Sequence, residues 1–97
     1  MDRSLSKEMI AKYGESSQLD IVVEELSELT KEVIKYKRKK SYGEPFDINH
    51  LKEELADTLV VSEIVFSVLE SHGISREEVV EEARSKQART RSRYLAK

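Results

Sequence analysis

The sequence predicts an all-α fold: an antiparallel bundle of about four helices, completed by oligomerisation. Three observations point there. Two long segments carry apolar residues at i, i+3 and i+4, the repeat of a helix with one buried face. The 97 residues contain one proline and three glycines, so little interrupts those segments. No stretch alternates apolar and polar residues as a half-buried strand would.

The elements follow in order. A short amphipathic segment, about 4 to 13, ends at Gly14. The second helix, about 16 to 38, places Leu19, Val22, Leu26, Leu29 and Val33 on one stripe. SYGEPFD, with Gly43 and Pro45, is the one obvious loop. The third helix, about 47 to 72, is apolar over much of its circumference. Leu51, Leu55, Leu59, Val61, Val65 and Leu69 form a broad arc that Val60, Ile64 and Val68 extend. Ala56, Glu63, Ser67 and Glu70 mark the side expected to be wet. Four helices of this length can hardly bury such a helix from every direction, which predicts a second subunit. Gly73 is placed as a helix stop, and SREE from Ser75 to Glu78 forms a capping box opening a last helix, about 75 to 94. One domain over residues 1–97 is expected, with a short N-terminal helix within 1–15 and a basic closing segment, 84–97.

Composition limits the function. Hydrophobic residues make up 38% and charged residues 37%, and no apolar run approaches a membrane span. No secretory signal pattern opens the chain, and the absence of cysteine removes disulfides, thiolate nucleophiles and thiolate zinc sites. A cytoplasmic location and no membrane partner are the expectation. The formal net charge of −2 conceals separate acidic and basic clusters, which argues against a uniformly basic nucleic-acid binder.

The clusters carry the chemistry. In LKEELADTLVV, Glu54 and Asp57 fall inside the apolar arc of the third helix. Glu25 borders the leucine stripe of the second helix, with Glu28 one turn on. Each pair has i, i+3 spacing and projects from one side of its helix. A lone Glu-x-x-Glu is ordinary solvated surface, but acids within an apolar arc are not. If the two helices are antiparallel neighbours, the four carboxylates converge, and protons, basic side chains or metal ions must neutralise them. Hard divalent cations prefer oxygen ligands, and neither His50 nor His72 supplies the Glu-x-x-His of a di-iron bundle. Magnesium is the expected ion, with manganese as a substitute.

Read together, EELSEL (24–29) and EELAD (53–57) form an ExxE…ExxD pattern that resembles the MazG-like, all-α nucleoside triphosphate pyrophosphohydrolases. The resemblance extends to HGISREEV and SKQARTRSRY and covers roughly residues 16 to 94. It implies that Glu25, Glu28, Glu54 and Asp57 are metal ligands, with Glu28 or Glu24 as the base. It implies hydrolysis between the α- and β-phosphates of a nucleoside triphosphate, giving the monophosphate and pyrophosphate, in nucleotide pool control or house-cleaning. It also implies substrate contacts from Gln18, Lys86 and Arg93, and a dimer or tetramer. Between Lys86 and Arg93, where the family often has an asparagine, this chain has Arg89 and Thr90. The competing expectation is an inactive helical oligomer that binds a partner through its basic C-terminal segment.

Overall fold

The computed structural model describes residues 1–95; of the basic segment 84–97, residues 96 and 97 lie outside the described residues. Four helices occur among the described residues: α1 (Ser4–Tyr13), α2 (Glu15–Ser41), α3 (Ile48–Ser71) and α4 (Arg76–Tyr94). No strand occurs among the described residues. The all-α expectation holds, with helix ends within three residues of those predicted.

Local chemistry fixes the boundaries. Gly14, at φ +92°, separates α1 from α2 in a backbone conformation that L side chains rarely adopt. Three bases, Arg38, Lys39 and Lys40, lie in the last turn of α2 and favour its C-terminal dipole, and the helix runs to Ser41 rather than to residue 38. The side chain of Asp47 accepts from the Asn49 amide at 3.0 Å and starts α3. Phe46 tilts against Tyr36 with ring centroids 5.2 Å apart, returning the connecting loop to the end of α2.

Two compact units divide the chain, Met1–Ser67 and Val68–Lys97. In the first, Val22 of α2 packs with Val61 and Ile64 of α3, and Ile10, Leu19 and Ile21 surround them. Residue numbers rising along α2 meet numbers falling along α3, so the two helices are antiparallel. Helix α1 joins them through a hydrogen bond between the Ser6 and Ser67 hydroxyls at 2.7 Å.

That bond explains a correction. Glu63, expected on the wet side of α3, is buried. It lies one turn before Ser67, on the face that α1 covers. Burial of the apolar arc is also uneven: Val61 and Ile64 are core, whereas Leu55, Leu59 and Val60 are each 51% exposed in the single chain.

The second unit holds the end of α3 and all of α4. The amides of Gly73 and Ile74 donate to the carbonyls of Glu70 and Leu69, both at 3.0 Å, which closes α3 at the glycine predicted to stop it. The Ser75 hydroxyl accepts from the Glu78 amide while the Glu78 carboxylate accepts from the Ser75 amide. The predicted capping box therefore forms in full.

Candidate metal centre

The pairing of α2 with α3 decides which acids meet. Val22 is core on α2, so Glu25, three residues on, projects toward the same neighbour. On α3 the core begins at Val61, and Asp57 and Glu54 lie one and two turns before it. Carboxylate oxygens of Glu25, Glu54 and Asp57 fall within 4.8 Å of one another, close enough for one cation to bridge all three.

The electrostatics are those of crowded like charges. The Glu25 carboxyl is raised above its ordinary value, first by desolvation and then by the charges of Asp57, Glu24 and Glu28. Glu54 is raised as well, by desolvation and then by Asp57, Glu25, Glu28 and Glu32. Its Oε2 is buried without a hydrogen-bond partner, as is Oε2 of Glu32. A buried oxygen left in that state costs free energy unless a proton or cation meets it. The donor set is wholly carboxylate, and it fits a hard divalent cation.

The remaining sequence candidates are placed as follows. Glu28 is half-buried, felt by both Glu25 and Glu54, and its Oε1 lies 3.4 Å from Lys31 Nζ. Glu24 is exposed beside Glu25. Gln18, two turns before Glu25, is 4% exposed and belongs to the interior of the first unit. Lys86 and Arg93 are exposed on α4 in the second unit, where Lys86, Arg84, Gln87, Thr90 and Arg91 line a shallow groove. Glu32 was not among the predicted ligands, yet its charge reaches Glu54. The signal for it is its spacing: Glu25, Glu28 and Glu32 recur at i, i+3 and i+7 on one face of α2.

Among the described residues, no single helix is long and apolar enough to cross a membrane. Neither the curated proteins nor the solved structures contain a match to this chain. A sequence model of the MazG nucleotide pyrophosphohydrolase domain matches residues 13–94, which takes in both acidic motifs and all of α2, α3 and α4. The chain therefore belongs to the MazG nucleotide pyrophosphohydrolase family.

Proposed function

We propose that this protein is a magnesium-dependent nucleoside triphosphate pyrophosphohydrolase that serves nucleotide pool control or house-cleaning. The observation that carries the reading is the convergence of Glu25, Glu54 and Asp57 across α2 and α3, in a chain of this family. These three carboxylates and Glu28 would hold the ion, with manganese as a working substitute. Bound magnesium would neutralise the acids and the phosphate oxygens together, and would make water a stronger nucleophile near neutral pH.

The reaction divides the triphosphate between its α- and β-phosphates. A water oxygen bonds to phosphorus, the bond to the bridging oxygen breaks, and pyrophosphate leaves with its electron pair. Glu28 and Glu24 are the two candidates to take the proton of the attacking water. Gln18, Lys86 and Arg93 are proposed substrate contacts, the last two on the strength of the family's basic closing segment. Residues 1–97 act as one domain, and a homo-oligomer, dimer or tetramer, covers the apolar side chains of α3 that the single chain exposes. A cytoplasmic enzyme without membrane or nucleic-acid partners completes the proposal.

Incubation with a panel of nucleoside triphosphates and magnesium tests it. Release of pyrophosphate that disappears in Asp57→Asn is the expected result. No turnover of any triphosphate, together with no magnesium-dependent thermal shift, would sink it and favour the inactive binding module.

A further inference from the structure

Among the described residues, two buried side-chain oxygens lack a hydrogen-bond partner, Oε2 of Glu54 and Oε2 of Glu32. Both belong to half-buried acids of the first compact unit, Glu32 on α2 and Glu54 on α3. Glu54 is one of the three acids that converge, and Glu32 stands outside that group. It lies one turn beyond Glu28, the last acid of the ExxE motif, and seven residues beyond Glu25, about 10.5 Å along α2. A carboxylate oxygen withdrawn from water without a partner is costly, so Glu32 calls for a positive charge of its own. The nearest lysine along the helix does not supply it, because the Lys31 ammonium is turned to Glu28 at 3.4 Å.

The surroundings specify that charge. The two orphaned oxygens belong to acids close enough to feel each other. Desolvation first raises the Glu54 carboxyl, and the charges of Asp57, Glu25, Glu28 and Glu32 raise it further. A carboxylate has two oxygens, so Glu54 can meet one cation with Glu25 and Asp57 and another with Glu32. Glu28 stands one turn before Glu32 on the same face of α2, and it too lies outside the converged group. Its ion pair with Lys31 is exposed and worth little, which leaves the Glu28 carboxylate free to turn toward a stronger counter-charge. Glu28, Glu32 and Glu54 offer oxygen donors only, the set that suits a hard divalent cation. Three carboxylates leave coordination positions for phosphate oxygens, and paired ions about 4 Å apart clamp both the attacking and the leaving oxygen of a displacement.

We infer that Glu32 is a fifth carboxylate of the metal centre, and that with Glu54 and Glu28 it holds a second divalent cation beside the one at Glu25, Glu54 and Asp57. The inference rests on the proposed hydrolase reading for the kind of cation, but it is tested by binding rather than turnover. Manganese is titrated into the full chain without nucleotide, and electron paramagnetic resonance counts the bound ions. The expected result is two ions per chain, with a spectrum broadened by coupling between neighbours about 4 Å apart. Glu32→Gln keeps the shape of the side chain and removes its charge, and metal-free thermal unfolding checks that the variant folds. It is expected to bind one ion, with the resolved spectrum of an isolated manganese. A single ion or an uncoupled pair in the wild-type chain would overturn the inference whatever the variant does. A coupled pair that survives in Glu32→Gln would overturn it as well. Turnover of triphosphates alongside any of those results would remove the role of Glu32 alone. A coupled pair lost in Glu32→Gln, without turnover of any triphosphate by the wild type, would uphold that role and contradict the hydrolase reading.

Discussion

The two ends of the α2–α3 pair in the first unit are built on opposite terms. At one end Val22, Val61 and Ile64 close against each other, and the Ser6–Ser67 hydroxyl pair ties α1 across them. At the other, one to two turns away, Glu25, Glu54 and Asp57 converge, and two of the three have raised carboxyls. The same helices thus gain stability by apolar burial at one end and lose it by like-charge repulsion at the other. The packed end therefore holds the acids together until a cation compensates them. The acidic end is organised for binding rather than for stability.

Substitutions at each end should separate these roles. The largest effect is expected at the acids. Glu54→Gln and Asp57→Asn remove donors from the cation site and should lower pyrophosphate release by about 100-fold or more. Metal-free thermal unfolding should at the same time show Asp57→Asn to be the more stable protein, because a repelling charge is gone. A lower melting temperature for that variant would contradict a charge-crowded site. At the packed end the sign reverses. Ile64→Ala should cost about 2–4 kcal/mol in denaturant unfolding without favouring either protonation state of the acids.

A pH series separates the two ends further. Glu25 and Glu54 bind protons more tightly folded than unfolded, since their folded values lie above the ordinary 4.5. Their contribution to the stability of the metal-free protein is full below pH 4.5 and fades as pH rises above it. Saturating magnesium should reverse that trend, because only the ionised carboxylates bind it. Melting temperatures measured across this range with and without the ion check the sign. The smallest effect is expected away from both ends: Ser75→Ala removes the cap of α4 and should cost about 1 kcal/mol, with no change in magnesium affinity.

Much of this was legible in the sequence because it is local. Gly14, Gly73 and the Ser75–Glu78 box act within a few residues, and the structure forms each where it was expected. Of the four carboxylates expected to converge, Glu25, Glu54 and Asp57 do so among the described residues, since helical spacing and one short loop bring the helices together, whereas Glu28 falls outside that group. What failed depended on a third element. A helical wheel of α3 does not show that α1 covers Glu63, so it places a buried acid on the wet side. The wheel likewise gives Leu55 and Leu59 the same rank as Val61, although in the single chain α2 and α1 cover only the last of these. Glu32 was missed because Glu-rich helix faces are usually solvated surface, and its reach toward Glu54 depends on how α2 and α3 pair.

The most direct test of the central claim follows the phosphorus atoms. Phosphorus-31 NMR of a nucleoside triphosphate incubated with the protein and magnesium should show the nucleoside monophosphate and pyrophosphate appearing in equal amounts. Glu54→Gln should slow that release by about 100-fold or more. Nucleoside diphosphate with inorganic phosphate, or a triphosphate spectrum that stays unchanged for every base, would contradict it.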